Sequence, residues 1–176
     1  MTSVRTTLLF DVGLLVFGIG LTIAFWPTLG RGLGLPRPVP GRLWLITLGV
    51  LLALFLVVQL LALLAPDLFR DLMSAYRNEE LGLTFAVLQM GPLTAVTEEL
   101  LFRGVILSGL LATFPERTAI VVSALMFATL HLSPLNFVHT SVLGVVYALL
   151  TIRSCSLWPS IGLHAAWNIA FLLIDL

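Results

Sequence analysis

Gly91-Pro92-Leu93-Thr94-Ala95-Val96-Thr97-Glu98-Glu99-Leu100-Leu101-Phe102-Arg103-Gly104 sets two adjacent carboxylates and an arginine in the middle of a long apolar run. From Leu81 to Phe114 the one other strongly polar residue is Gln89. Ionisable groups in hydrocarbon are costly, so such a cluster reads as a functional site whose partners can be sought elsewhere in the chain. As one straight helix the run would be about 50 Å long, against a bilayer core of about 30 Å. It must bend, break or tilt, and Gly91-Pro92 is the obvious place for a break. The part from about Leu93 to Thr113 is then a helix with both carboxylates in its second turn.

The composition outside this stretch agrees with a membrane setting. The chain has 176 residues, 59% of them hydrophobic and only 10% charged, with a mean hydropathy of +1.10. A soluble domain carries about 25% charged residues, so these figures belong to a polytopic membrane protein. Apolar spans run from Thr7 to Trp26, Leu43 to Ala65, Leu81 to Phe114, Thr118 to Leu132, Leu135 to Ile152 and Ser156 to Leu173. The first is long for a signal-peptide core and lacks a small-x-small cleavage site, so it reads as a transmembrane helix. Between the second and third spans, Pro66 to Glu80 alternates charged residues with Leu68, Phe69, Leu72, Met73 and Tyr76 at helical spacing. That pattern suits an amphipathic helix lying in the interface. The expected fold is an all-α polytopic bundle of about six transmembrane helices, one of them broken, with an interfacial helix.

Charge narrows the function classes further. Net charge is zero, which gives no footprint for nucleic acid. All nine basic residues are arginine. An N-terminus outside places Arg31, Arg37, Arg42, Arg117 and Arg153 on the inner side, the orientation the positive-inside rule favours. The single Cys155 excludes an internal disulfide and reads as a small buried apolar residue.

Helical geometry divides the two acids. Glu99 and Arg103 form an i,i+4 pair in the favourable order, so Glu99 can be neutralised internally. Glu98 is turned by about 100° and is left for water, as a general base. The alternative is a structural salt bridge locking two helices. His131 closes the run Phe127-Ala128-Thr129-Leu130-His131, and His164 and Asn168 lie one turn apart on the last span. Alone, each reads as a cap or an interhelical hydrogen bond. Antiparallel packing brings all six residues to one membrane depth, and that coincidence favours chemistry. His139 and Asn136 read as structure or pocket wall. Ser123, Ser141 and Thr151 lack a base at helical spacing, so no serine mechanism is indicated.

Glu98-Glu99-x-x-x-Arg103, Phe127-x-x-x-His131 and His164-x-x-x-Asn168, in this order on separate helices, resemble the CAAX-protease and bacteriocin-processing family of intramembrane glutamic endopeptidases. The likeness covers roughly Leu81 to Ile174. It implies a catalytic membrane core over residues 81–176 and a variable part, residues 1–80, holding two transmembrane helices and the interfacial one. It implies that Glu98, assisted by His131, activates a water to attack a peptide carbonyl. His164 and Asn168 would form the oxyanion hole, while Glu99 and Arg103 organise the site. No cofactor is required. The implied partners are the bilayer and a peptide or protein substrate at the membrane, prenylated in the best-known cases. The implied location is multi-pass in a prokaryotic cell membrane.

Three alternatives stand beside this reading. Zinc could bind two histidines and a glutamate, although no His-Glu-x-x-His pair is present and Arg103 would crowd the metal. A small transporter or proton relay would also hold intramembrane carboxylates, but it would be expected to show repeated halves. A non-catalytic immunity or scaffold protein could keep the same fold.

Overall fold

The structure is a computed structural model that describes residues 4–24, 35–64, 82–131 and 134–174. Among the described residues the regular elements are all helical, and there is no strand. Helix α1 is Val4–Ala24 and α2 is Gly41–Leu64. Helix α3 is a continuous run over residues 82–111, and α4 is Glu116–Leu130. Helix α5 is Pro134–Ser154 and α6 is Trp158–Ile174. Each begins and ends within three residues of the expected apolar span. The amphipathic helix expected at Pro66 to Glu80 lies outside the described residues.

The expected break at Gly91-Pro92 is corrected. The helix passes through this point by widening to a π-type turn, Gln89–Leu93, and continues as an ordinary α segment, Thr94–Glu99. Proline removes a backbone donor and crowds the carbonyl four residues earlier. A turn that bonds five residues apart accommodates both defects without ending the helix. Thr94 shows the shift directly: its N–H is directed to Gln89 O, and its hydroxyl donates to the same oxygen at 2.9 Å. A second π-type stretch, Leu100–Leu107, follows the carboxylates at once. At about 45 Å for 30 residues, α3 needs tilt rather than interruption to fit a bilayer.

Three apolar clusters hold the helices together. Leu107, Ala119, Ile120 and Ala148 join α3, α4 and α5. Leu51, Leu143, Val146, Tyr147, Leu150 and Trp167 join α2, α5 and α6. Leu100, Leu157 and Ile161 seal α3 against the start of α6. Helix α1 packs along the 94–107 stretch of α3. Both N-terminal helices thus rest on the elements that carry the conspicuous polar residues.

Two described helices, Gly41–Leu64 and Asn136–Ser154, are long and apolar enough to cross a membrane. The first has a mean hydropathy of 2.7, yet only 11% of its most apolar stretch is buried by protein. An apolar surface left this bare calls for lipid as its cover. Leu45, Leu52, Leu56 and Leu63 on α2, with Leu9, Val16 and Ile23 on α1, form such a surface.

The turn between α5 and α6 corrects one expectation. Cys155 is exposed, not buried, and takes a left-handed conformation with φ of 52°. One residue in that region ends a helix sharply, a position glycine usually holds. Serines on either side absorb the loose backbone groups. Ser154 Oγ donates to Leu150 O at 2.6 Å, and Trp158 N–H donates to Ser156 Oγ at 3.3 Å. Pro159 follows in the first turn of α6, where its missing N–H is harmless.

Helices α4 and α5 approach each other closely at Gly144. A Cβ on Gly144 would sit 2.8 Å from Ala124 Cα and 2.9 Å from its Cβ. Gly144→Ala gains up to about 1 kcal/mol of helix propensity, but rigid overpacking costs about 1–3 kcal/mol. The net effect expected is a lower melting temperature in detergent. An unchanged or raised value would show that the α4–α5 contact is loose.

Candidate active site

Arg103 of α3 and His164 of α6 come together on one buried carboxylate, that of Glu99. Glu99 is the last residue of the α segment, just before the second π stretch, and is fully buried. Arg103 Nη1 donates to Glu99 Oε1 at 2.9 Å, so the expected i,i+4 pair forms. Both side chains are 0% exposed. Arg103 Nη2 reaches across to the carbonyl of Gly144 at 3.2 Å. The guanidinium also lies 4.4 Å from the Phe127 ring centre and 5.4 Å from that of Tyr147. A buried cation is thereby met by a carboxylate, a carbonyl and two aromatic rings.

His164 completes the same carboxylate from α6. Its Nδ1 lies 2.9 Å from Glu99 Oε1, and an ionised carboxylate can only accept, so Nδ1 carries the proton in that state. This leaves Nε2 as the working nitrogen, held in one orientation by a buried acid. Nε2 is 3.7 Å from Glu98 Oε2, an ion-pair distance too long for a direct hydrogen bond. Aromatic rings fix the imidazole plane. Tyr147 stacks on it with centroids 5.1 Å apart and planes 21° apart, and Phe127 meets it edge-on at 5.7 Å.

Glu98 is turned about 100° around the helix from Glu99, so the two acids meet different nitrogens of His164. The Glu98 side chain is 12% exposed, against 0% for Glu99, so it is the acid with access to the exterior of the site. Glu98 Oε2 is nevertheless buried and makes no hydrogen bond. His131 caps α4, with Nδ1 3.2 Å from Phe127 O. A carbonyl accepts only, so Nδ1 donates and a neutral His131 presents Nε2 as an acceptor. The Phe127 ring lies 5.1 Å from the His131 ring, between the two histidines.

Asn168 meets the site differently from its partners. Its Nδ2 donates to Met90 O at 2.9 Å. The first π turn makes this possible, because the Thr94 N–H that an α-helix would give to Met90 O goes to Gln89 O. Asn168 therefore clamps the π turn of α3 to α6, and Gly91 lets the helices close there against Ile169.

The serines and the threonine set aside in the sequence are occupied. Ser123 donates to Phe102 O at 3.3 Å and Ser141 to Phe137 O at 2.6 Å. Thr151 and Ser160 bond each other at 3.0 Å. Asn136 is buried, with its carbonyl accepting from Thr140, and His139 is half-buried on the same helix. Among the described residues no group of three His, Cys, Asp or Glu side chains is placed to hold a metal ion. An apolar cavity of about 270 Å³ lies between α1, α3 and α6. Val96 and Leu100 line it from the face of α3 opposite Glu98, which separates it from the site.

A family profile described as Type II CAAX prenyl endopeptidase Rce1-like matches residues 80–170, more than half of the chain. The chain belongs to this family. The match spans α3 to α6 and takes in all six of the expected site residues. Comparisons with curated proteins and with solved structures find no match. Membership in a family of membrane proteases, together with the bare apolar helices, identifies a membrane protein with a buried Glu–His–Arg network.

The sequence reading missed Tyr147 and the Gly144 carbonyl. Tyr147 stands alone in an apolar stretch, and no motif spacing ties it to His164. Gly144 serves through its backbone, which leaves no side-chain signal. Removing one member of a buried ion pair strands the other, at about 3–5 kcal/mol. Arg103→Met is expected to destabilise by that amount, and adding Glu99→Gln to recover much of it. Thermal melts in detergent measure both, and equal losses in the single and double variants would mean the pair does not hold the bundle.

Proposed function

We propose that this chain is an intramembrane endopeptidase that uses a glutamate-activated water and no metal. One observation carries the reading: Glu98 Oε2 is buried, unbonded and 3.7 Å from the nitrogen of a histidine already oriented by a second carboxylate. A water set to one side of the two groups can bond both of them at that spacing. Glu98, assisted by the acceptor nitrogen of His131, takes a proton from the water as its oxygen bonds to the scissile carbonyl carbon. The carbonyl π pair moves onto oxygen. On collapse the pair returns, the C–N bond breaks and the proton held by Glu98 passes to the leaving amine. No side chain becomes bonded to the substrate.

The other residues act on charge and position. His164 donates from Nε2 to the oxyanion, and the Glu99 carboxylate stabilises the imidazolium this requires. Arg103 keeps Glu99 ionised and fixed. Asn168 holds α3 against α6 and offers its remaining amide hydrogen beside His164. Six helical runs crossing the bilayer suit this role, with α3 tilted and α4, at 15 residues, thinning the local structure. Residues 81–176 then form the catalytic core, and residues 1–80 supply two flanking helices. The substrate is a peptide at the membrane, and the family's description points to a prenylated C-terminus.

The test is cleavage of a farnesylated CAAX peptide by the purified chain in proteoliposomes. Glu98→Gln is expected to lower kcat by roughly 10²–10⁴-fold without lowering the melting temperature, and a chelator to leave the wild type unaffected. A Glu98→Gln variant that still cleaves, or activity lost to the chelator and restored by zinc, would overturn the mechanism.

A further inference from the structure

Tyr147 is fully buried, and its hydroxyl makes no hydrogen bond. A buried tyrosine ordinarily finds a partner for its O–H, because leaving a polar group unsatisfied costs about 1–3 kcal/mol. Phenylalanine would fill the same space without that cost. The hydroxyl does not lie in plain apolar core either. The Tyr147 ring lies 5.4 Å from the Arg103 guanidinium and stacks on His164 at 5.1 Å. The site therefore contains a donor that the resting fold leaves unspent.

The oxyanion needs such a donor. Sites of this kind use more than one preorganised hydrogen bond, aimed at charge that appears only in the transition state. In this site His164 offers Nε2 and Asn168 a single amide hydrogen, its other one being held by Met90 O. Arg103 is directed to Glu99 and Gly144. We propose that the Tyr147 hydroxyl is a further hydrogen-bond donor to the oxyanion, acting beside His164 Nε2. It keeps its proton throughout: the hydrogen bond shortens as the carbonyl pair moves onto oxygen and relaxes when the C–N bond breaks. This inference rests on the peptidase reading above.

Tyr147→Phe removes the hydroxyl alone, and the assay is the farnesylated peptide in proteoliposomes with full-length protein. The expected result is a kcat lowered about a hundredfold, an unchanged KM and a melting temperature equal to or above that of the wild type. Wild-type kcat in Tyr147→Phe overturns the inference. A lower melting temperature also overturns it, whatever the activity, because the hydroxyl would then be bonded within the fold. Tyr147→Leu, which loses the ring as well, is expected to lose both stability and activity. The two readings fail separately. Cleavage by Glu98→Gln removes the peptidase mechanism, whereas an inactive Glu98→Gln beside a fully active Tyr147→Phe removes the role of Tyr147 alone.

Discussion

The ion pair between Arg103 and Glu99 is the constraint on which the rest of the structure depends. Both side chains are fully buried, and neither charge could stand alone in a medium of low dielectric. The pair by itself does not solve the problem, since a guanidinium has five donors and a carboxylate has more than one lone pair to fill. Arg103 Nε and Glu99 Oε2 keep no hydrogen-bond partner, while the Gly144 carbonyl, the His164 imidazole and the faces of Phe127 and Tyr147 supply part of what is missing. Those groups lie on α4, α5 and α6, so satisfying one buried charge fixes the positions of three other helices.

Adjacent glutamates acquire different properties because consecutive helical residues face different ways. Glu99 turns inward to Arg103 and His164, while Glu98 turns toward the partly open side, 12% exposed against 0%. The π-type turns on either side of this pair adjust the helix where a regular one would fail. One absorbs Pro92 and delivers Met90 O to Asn168, and the other carries Arg103 into the core. Widened turns of this kind are uncommon and tend to occur at functional sites.

Much of this was legible in the sequence, for reasons that differ by residue. The helices could be placed because apolar runs and charged interruptions mark span ends. The Glu99–Arg103 pair could be read because i,i+4 spacing guarantees proximity on one helix. His131, His164 and Asn168 stood out because polar groups are expensive in an apolar setting. What could not be read depends on contacts between helices. Proline signalled a break, but whether a helix breaks or widens is decided by what its neighbours offer the freed carbonyl. Asn168 gave no hint that Met90 O would take its amide. Cys155 looked like core because composition does not report a left-handed turn. Tyr147 and Gly144 acquire meaning only once α5 is laid beside α3 and α6.

The account comes down to water attacking the substrate directly, with the enzyme contributing charge and position and no covalent bond. Turnover in heavy-oxygen water, followed by mass spectrometry of both product and intact protein, examines that step. The account predicts one heavy oxygen in the new product carboxylate after a single turnover and a protein mass that never changes. An acyl adduct on the protein would contradict it.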